Sequence, residues 1–309
     1  MINLYEKFCA LNRNIKNSQY VINTKGAIKI YYGINIDGCF RLSFLSSKPS
    51  GIKDMTKNIS VVHGNTLEEN NWTCFDLINN DLISVFCSFG EDIISSVIDE
   101  MNEVNALNKL RLRYNTWLAL FKKNRSLMSP EKAKGLFGEL YFLKNTMIDK
   151  YGINTSIKSW SGPDFFTKDF AVNDTWYEIK TTSCIATVIH ISSLQQISSD
   201  LTGRLIIIKV EEMADAYNGK DSSINELIQY IISKIEDNDI KDEFLTKLSN
   251  VGYDFSDILG DKKYNVALVE KYIVNNDFPA IREKDIKSTA VNNVGYDIVI
   301  KLLFDFLEK

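Results

Sequence analysis

The sequence has few of the residues that build disulfide, zinc or histidine-based sites. Its 309 residues include 5 Cys and only 2 His, and no two cysteines form a CxxC pair. An odd, scattered set of cysteines fits free thiols in a reducing compartment and excludes a disulfide framework or a zinc site. With only 4 Pro and 15 Gly, collagen-like and broadly disordered chains are excluded as well.

Long hydrophobic runs are also missing. The apolar stretches extend over only a few residues, as at 205–208, whereas a helix needs about 20 apolar residues to cross a bilayer. The first residues carry charges and lack the apolar block of a signal peptide. We therefore expect a cytoplasmic protein without a membrane segment.

Charge is unevenly distributed along the chain. The net charge is −4, yet residues 1–210 hold 24 basic and 20 acidic side chains, and residues 211–309 hold 12 and 20. The segment 104–130 contains no acid. Its basic residues are Lys109, Arg111, Arg113, Lys122, Lys123 and Arg125. Such a stripe could bind the phosphates of DNA, and the alternative is a solvated helix face.

Hydrophobic periodicity predicts an α/β (α+β) protein of three parts. Residues 1–125 are predicted to be a β-rich region that ends in a long basic helix, residues 126–215 to be a core of alternating elements, and residues 216–309 to be an acidic α/β extension. The first region has a predicted strand at 27–32, a hairpin turning at Asp37-Gly38 and one or two helices over 92–123.

The predicted core begins with a well-marked helix. Ser129 can cap it, Pro130 suits its first position, and Gly152 ends it after about residue 150. A short helix is predicted at 193–200. Strands are predicted at 155–160, 168–172, 175–182, 187–192 and 204–212, and, after helices that extend to about 250, at 264–274 and 294–304.

The residues that carry chemistry lie between 160 and 180. Asn173-Asp174 separates two alternating runs and is predicted to form a two-residue hairpin loop, which places Asp169 opposite Glu178 on one face of the sheet. Lys180 projects from the same face. Two adjacent carboxylates repel when both are ionised, and a divalent cation removes that conflict. We therefore predict that Mg²⁺, or Mn²⁺ in its place, binds here.

The triplet acid-x-Lys alone is a weak signal. It also occurs at 239–241, 261–263 and 285–287. None of these copies has a hairpin partner that places a second acid opposite its own, and Glu178-Ile179-Lys180 is the only Glu-x-Lys in the chain. The hairpin therefore distinguishes this copy from the others.

Glu139 adds a third carboxylate. It shares a helical stripe with Leu136, Leu140, Leu143 and Met147. A carboxylate on a core-facing stripe is predicted to point inward, toward the acid pair of the next sheet. The alternative is that Glu139 lies at the edge of the stripe and reaches water.

The order of these motifs resembles the PD-(D/E)XK nuclease superfamily. The runs GLFGELYFL and SSLQQI, with Trp-x-Gly-Pro, Asp-Phe and Glu-x-Lys between them, are similar to a PD-(D/E)XK family linked to bacterial restriction-modification and phage-defence loci. The resemblance implies a restriction-endonuclease-like αβββαβ core with a mixed sheet, Mg²⁺ dependence and a DNA substrate. By position, Glu139, Asp169 and Glu178 would hold the metal, Lys180 would act on water, and Gln196 would contact substrate or metal-bound water.

The acid that precedes the hairpin has two candidates. Pro163-Asp164 matches the Pro-Asp of the superfamily name, whereas Asp169 opposes Glu178 in simple register. Asp164 would need a longer, bulged connection to reach Glu178. We prefer Asp169 and retain Asp164 as the alternative metal acid.

The sequence therefore predicts a Mg²⁺-dependent DNA endonuclease that uses metal-activated water and belongs to a restriction or phage-defence system. The alternative is a catalytically silent DNA-binding or scaffold subunit that keeps the nuclease fold. Expected partners are a second copy of the chain, as a homodimer, and a methylase or an ATPase of the same system. An RNA substrate stays open, because the same metal chemistry serves either backbone.

Overall fold

The computed structural model describes residues 2–53, 56, 58–67, 70–121, 128–164, 167–255, 258–288, 290–291 and 293–308. The chain forms two compact units. The first contains residues 1–126 and 252–256, and the second contains residues 127–251 and 257–309. The structure differs from the predicted three-part division, because residues 216–309 are not a separate extension but belong, apart from 252–256, to the same unit as the predicted core.

The first unit is built on an antiparallel sheet. Its strands are β1 (Ser18–Ile22), β2 (Lys29–Ile34), β3 (Phe40–Ser46), β4 (Ile59–Asn65) and β5 (Asn71–Leu77), in the order β1-β2-β3-β5-β4. Its helices are α1 (Leu4–Cys9), α2 (Ile83–Val97) and α3 (Glu103–Phe121). The predicted hairpin between β2 and β3 is confirmed, with Gly38 at φ 90° in its turn. The predicted helical region over 92–123 is two helices, and the first begins nine residues earlier, at Ile83.

An aromatic cluster holds this sheet against α2 and α3. Phe89 of α2 lies at ring-centroid distances of 5.3 Å from Phe75, 5.9 Å from Trp117 and 5.7 Å from Phe121. Aromatic side chains bury large apolar areas, and edge-to-face pairs such as these add to that burial. The first unit therefore has its own hydrophobic core.

The second unit contains the predicted core. Its helices are α4 (Pro130–Phe142), α5 (Ile148–Tyr151), α6 (Ile153–Ser159), α7 (Ile224–Lys234) and α8 (Asn238–Asn250). Its strands are β6 (Phe170–Val172), β7 (Thr175–Ser183), β8 (Val188–Ile191), β9 (Gly203–Met213), β10 (Lys263–Val274) and β11 (Tyr296–Val299). Short 3₁₀ turns include Gly162–Asp164, Leu194–Gln196 and Ile300–Phe306.

The main sheet of this unit is mixed and has the order β10-β9-β7-β6. Strand β7 pairs antiparallel with β6 and parallel with β9, and β10 pairs antiparallel with β9. A parallel pair needs a crossover connection, and residues 184–202 provide it between β7 and β9. The mixed α/β architecture that the sequence predicts is therefore confirmed.

Two predicted strands behave differently in the structure. Strand β8, predicted at 187–192 as one of the core strands, pairs with β11 in a two-stranded sheet separate from the main sheet. The segment predicted as a strand at 155–160 is helix α6. The ammonium of Lys247 on α8, a residue only 3% exposed, donates to the carbonyls of Ile157 (2.9 Å) and Trp160 (2.7 Å) at the end of α6. The carbonyl groups at this helix end thus accept hydrogen bonds from a side chain that is distant in sequence.

Helix α4 begins where the sequence predicts. Ser129 Oγ accepts a hydrogen bond of 3.2 Å from the Lys132 amide, and Pro130 occupies the first turn. The helix continues through a π-helical turn, Leu143–Met147, into α5 and ends at Gly152, whose φ of 76° favours glycine. No helix among the described residues is long and apolar enough to cross a membrane.

Gly138 allows α4 to lie close against β7. A Cβ atom at this position would lie 1.8 Å from Thr181 Oγ1, far inside the contact distance of any two heavy atoms. Because glycine has no Cβ, the helix backbone can approach the strand here. The next residue is Glu139, so this close contact also fixes where Glu139 stands relative to the sheet.

Candidate active site

The predicted β6–β7 hairpin is present in the predicted register. The observed pairs are Phe170–Tyr177, Ala171–Trp176 and Val172–Thr175. Asn173 in the loop has a φ of 51°, which asparagine tolerates better than most residues. The ladder of backbone pairs ends at Phe170, one pair before the predicted Asp169–Glu178. Beyond Phe170 the two segments are joined by a side chain instead of a backbone pair. Oδ2 of Asp169 accepts a hydrogen bond of 2.7 Å from the Ile179 amide.

Glu178 is the most buried carboxylate of the site. Its residue surface is only 1% exposed, and its Oε1 lies 2.9 Å from the ammonium of Lys180. Its other oxygen, Oε2, is buried and accepts no hydrogen bond from any residue that the structure describes. Since a buried acceptor without a donor costs free energy, Oε2 is an acceptor that a ligand would satisfy.

Gln196 completes the surroundings of Lys180. Its Oε1 accepts from Lys180 Nζ at 3.0 Å and from the Ser192 amide at 2.9 Å. The 3₁₀ turn Leu194–Gln196 therefore faces β7 through this side chain. The structure places Gln196 beside Lys180, while its contact with substrate or metal-bound water stays a prediction.

Glu139 approaches the same place from helix α4. Its Oε2 accepts a hydrogen bond of 2.7 Å from the indole nitrogen of Trp160. Gly162 lies between the acids, because a Cβ there would be 3.2 Å from Asp169 Oδ1 and 3.4 Å from Glu139 Oε2. The side chain of Glu139 thus points toward Asp169, and the structure brings the three predicted acids into one region.

Burial and mutual repulsion make these acids weak. Burial, helped by the charge of Asp169, raises the pKa of Glu178 to about 8, although Lys180 opposes the shift. Burial also raises the pKa of Glu139 well above its usual range, and the charges of Asp169 and Glu178 add to it. The pKa of Asp169 is raised by burial too, against the effect of the Ile179 amide. Carboxylates in such surroundings are typical of functional sites.

The donor set fits a divalent cation held by two acids better than by three. Among the described residues, no three His, Cys, Asp or Glu side chains stand close enough to bind one metal ion together. Glu139 faces Trp160, so it would have to turn to become a ligand. Asp169 and Glu178 supply the one or two carboxylates that Mg²⁺ commonly takes, with water and phosphate oxygens in its other positions. The buried Oε2 of Glu178 is the acceptor that such an ion would use.

Asp164, the alternative acid, has a different partner. Its Oδ2 lies 3.3 Å from the ammonium of Lys247. The same ammonium donates to the carbonyls at the end of helix α6. This pair holds the Gly162–Asp164 turn to α8. The geometry therefore joins Asp169 to the amide next to Glu178 and joins Asp164 to Lys247, while metal binding by Asp169 stays a prediction.

The sequence reasoning missed Lys168. Its ammonium donates to the carbonyls of Gln195 (2.6 Å) and Ser198 (3.0 Å) and lies 3.8 Å from the ring centroid of Trp176. Burial lowers its pKa to about 8, although the charges of Glu178 and Asp169 oppose the shift. Lys168 thus anchors the turn that carries Gln196. Its position directly before Asp169 is the only sequence signal that could have identified it.

Trp160 and Lys247 are two further residues that the sequence did not identify as part of the site. Trp160 is fully buried and donates to Glu139, and Lys247 donates to the backbone carbonyl of Trp160. Their contacts join elements that are far apart in the chain, so no local pattern marks them.

The predicted basic stripe is not a single surface. Arg113 is 3% exposed, and its guanidinium donates to Asp92 Oδ2 at 2.7 Å inside the first unit. The expectation that Arg113 contacts DNA is therefore wrong for this conformation, because its charge is already paired and shielded from solvent. Helix α3 turns this residue inward, where Trp117 also donates to Asp92.

The other members of the stripe are in different situations. Lys109 is exposed and lies 2.6 Å from Glu100, and Arg111 donates to the Ser50 carbonyl at 2.8 Å. Both remain accessible, so their contact with DNA stays a prediction. Three members lie outside the described residues: Lys122, Lys123 and Arg125.

A mixed sheet crossed by α4, with Asp169 next to a Glu-x-Lys strand, defines a PD-(D/E)XK nuclease-like fold. A family model described as "Putative PD-(D/E)XK family member, (DUF4420)" matches residues 1–301. The chain therefore belongs to this family, and the resemblance predicted from the motifs is confirmed. No curated protein and no solved structure matched the chain.

Proposed function

We propose that this protein is a Mg²⁺-dependent endonuclease that hydrolyses DNA as part of a restriction or phage-defence system. One observation carries the proposal. Glu178 is a buried carboxylate with one oxygen paired to Lys180 and the other, among the described residues, without a hydrogen bond. A structural ion pair needs no such free oxygen, whereas a metal site does. Membership of a PD-(D/E)XK family supports the same chemistry.

Each side chain of the candidate site would have a separate role in hydrolysis. A bound divalent cation would neutralise the acids, polarise the phosphate and make water more acidic. Asp169 and Glu178 would hold it, with Glu139 as a third ligand after leaving Trp160. Lys180 would hydrogen-bond to the attacking water and offset the negative charge that develops on the phosphoryl oxygens.

Gln196 has an orienting function in this scheme. Its Oε1 accepts both from Lys180 and from the Ser192 amide, which fixes the amide and leaves its NH₂ group as a donor. In the reaction a water oxygen bonds to phosphorus and gives up a proton to solvent, one bridging P–O bond breaks, and the leaving oxygen takes up a proton from solvent. The same steps would cleave RNA, so the nucleic acid has to be tested.

The proposal is tested by cleavage of plasmid and linear DNA with Mg²⁺ or Mn²⁺. Glu178→Gln and Lys180→Met should each lower the rate by about 10²-fold or more, as removal of one transition-state donor commonly does. The matched control is Lys287→Met, which alters an exposed copy of the same acid-x-Lys triplet. Cleavage that survives both site variants would refute the assignment, and an equal-length RNA shows which backbone is cut.

The two acids before the hairpin are separated by paired variants. We expect Asp169→Asn to abolish cleavage, because Asp169 lies with the other acids, and Asp164→Asn to act only through stability. Melting temperatures of both variants show how much stability each loses. If Asp164→Asn alone abolishes cleavage while its melting temperature is unchanged, Asp164 is the metal acid.

The second candidate function is that of a catalytically silent DNA-binding or scaffold subunit. It is favoured by the absence, within the described ranges, of three ligand side chains that could bind one ion as they stand. This candidate predicts DNA binding without cleavage and no change of melting temperature with Mg²⁺. The endonuclease predicts the opposite on both counts.

The predicted partners and location belong to the same proposal. Light scattering would show whether the protein is a homodimer, and affinity purification from its native cell would show whether a methylase or an ATPase accompanies it. The cytoplasmic location stays a prediction, which fractionation of the same cells would test.

A further inference from the structure

Two segments of the second unit supply the ammonium and the amide of the candidate site. The hairpin β6–β7 carries Lys180, and the 3₁₀ turn Leu194–Gln196 carries Gln196. We call the second segment the Gln196 turn. Lys168 lies two residues before β6, and its side chain reaches from the hairpin to the Gln196 turn.

The ammonium of Lys168 is bound to this segment at two points. It donates to the carbonyl of Gln195 at 2.6 Å and to the carbonyl of Ser198 at 3.0 Å. One of these carbonyls precedes Gln196 in the chain, and the other follows it. Because hydrogen bonds are directional, the backbone that carries Gln196 cannot rotate without breaking at least one of them.

Apolar packing also holds the Gln196 turn, but it acts differently. Leu194 and Ile197 are buried. Apolar burial is non-directional, so these side chains keep the turn on the protein without setting the orientation of Gln196. Lys168 is itself held by Trp176 of β7, whose ring centroid lies 3.8 Å from the Lys168 ammonium. Lys168 therefore joins the hairpin and the Gln196 turn.

The orientation of Gln196 matters because of its contact with Lys180. A lysine ammonium has three N–H donors. Two of those of Lys180 are used, by Glu178 Oε1 at 2.9 Å and by Gln196 Oε1 at 3.0 Å. The third meets no acceptor among the residues that the structure describes. Since two acceptors fix a tetrahedral ammonium, the position of Gln196 Oε1 sets the direction of the third N–H.

We propose that Lys168 is a positioning residue of the candidate site. It holds the Gln196 turn in the orientation in which Gln196 directs the third N–H of Lys180 toward the attacking water. Lys168 itself touches neither the substrate nor the metal ion. This inference rests on the proposed function for the role of Lys180. A displacement of about 1 Å at a reacting group can lower a rate about 10²-fold, so the loss of this contact should be measurable.

The first test follows the Gln196 side chain by NMR in EDTA and without nucleic acid. The chain has 4 Gln, so selective ¹⁵N-glutamine labelling gives few side-chain amide signals, and Gln196→Ala identifies the signal of Gln196. In the wild type this amide should be rigid. In Lys168→Met its order parameter should fall below about 0.6, the range of flexible groups. Methionine keeps the length of the side chain and a favourable contact with the Trp176 ring, so this variant removes mainly the donor.

The matched control is Lys234→Met. Lys234 is an exposed lysine of α7 that also lies over an aromatic ring, at 5.5 Å from the ring centroid of Tyr230. The control makes the same substitution outside the hairpin and the Gln196 turn. It should leave the order parameter of the Gln196 amide at the wild-type value.

The second test measures DNA cleavage at saturating Mg²⁺ and below the melting temperature of every variant. Lys168→Met should lower kcat about tenfold or more, as loss of a supporting partner commonly does, and should leave KM for DNA unchanged. Gln196→Ala should lower kcat as well. If Lys168 acts through Gln196, the double variant should be no slower than Gln196→Ala alone, because the two losses are then coupled instead of additive.

The outcomes separate this inference from the proposed function. A Gln196 amide that stays rigid in Lys168→Met would overturn the positioning role, even if the protein cleaves DNA. Additive losses of kcat in the double variant would overturn the route through Gln196. If the wild type cleaves no nucleic acid, the proposed function fails, and the NMR comparison alone decides whether Lys168 orients Gln196.

Discussion

The state of the Glu178 carboxyl makes a quantitative prediction about stability. In the folded protein its pKa is about 8, against an ordinary value of 4.5. The protonated form therefore stabilises the folded state. This contribution is complete below about pH 4.5 and is lost as the pH rises through 8.

The magnitude follows from the two pKa values. One unit of pKa shift corresponds to about 1.36 kcal/mol, so raising the pH from 5.5 to 8 should remove about 3 kcal/mol of unfolding free energy through Glu178 alone. Asp169 and Glu139 have raised pKa values as well, so they add to the loss. Lys168, with a lowered pKa of about 8, has its effect mainly above pH 8, outside this window.

The assay is urea unfolding of the protein in EDTA at several pH values from 5.5 to 8. Glu178→Gln cannot ionise at this position, so its stability should fall less steeply with pH than that of the wild type. The control is Asp305→Asn, which removes an exposed carboxyl. Adding MgCl₂ should restore about 2.7 kcal/mol at pH 8 when the ion is present at 100 times its dissociation constant, and much less at pH 5.5.

Two results would refute this reasoning. If wild type and Glu178→Gln lose stability with the same pH slope, the carboxyl is not held in its protonated form. If MgCl₂ stabilises Glu178→Gln as much as it stabilises the wild type, the ion binds elsewhere. The second result would count against the proposed metal site even if the protein cleaves DNA.

Three further predictions concern side chains around the site and in the first unit. Gly138→Ala should destabilise the protein by about 1–3 kcal/mol in urea unfolding, because the added Cβ has no room, whereas Gly135→Ala on the same helix meets open space and should be neutral or stabilising. Trp160→Phe removes the donor to Glu139 and keeps most of the ring. Because Glu139 then has no hydrogen bond to break before it reaches the ion, the Mg²⁺ concentration for half-maximal cleavage should fall about fivefold, the equivalent of one hydrogen bond of about 1 kcal/mol, and an unchanged value would exclude that role. Arg113→Met should lower the unfolding free energy by about 3–5 kcal/mol, since it removes the cationic partner of a buried ion pair, while DNA affinity measured below the melting temperature should stay the same.

The parts of the fold that the sequence predicts correctly depend on local signals. Helix α4 begins at a capping serine followed by proline and ends at a glycine, and each signal lies within a few residues of the element it delimits. The β6–β7 hairpin is equally local, because a two-residue loop determines the register of both strands. That register is why the acids could be placed near each other from the sequence.

The parts that the sequence misses depend on distant partners. The carbonyl groups at the end of helix α6 accept hydrogen bonds from Lys247, which lies 87 residues after Trp160. The segment by itself shows the alternating pattern of a strand, so the sequence predicts a strand there. Strand β8 pairs with β11, more than a hundred residues later, so its place outside the main sheet is invisible locally. Arg113 was assigned to the surface because its acid, Asp92, lies on another helix.

The candidate site itself was partly predictable. The structure brings together all five residues named from the motifs: Glu139, Asp169, Glu178, Lys180 and Gln196. The supporting side chains were not found, because Trp160 and Lys168 act through hydrogen bonds to residues more than twenty positions away in the chain. The composition of the sequence and the spacing of its motifs do not predict such hydrogen bonds.

The sheet that carries the acids is completed late in synthesis, because its edge strand β10 follows β9 only after a long segment of chain. A nascent chain that has reached β9 already contains every motif residue, from Glu139 to Gln196. It lacks β10, so one edge of β9 still has unpaired amide and carbonyl groups along its length. A product that terminates after β9 would therefore expose this unpaired edge to other strands, and β10 covers it only once residues 214–274 have been translated.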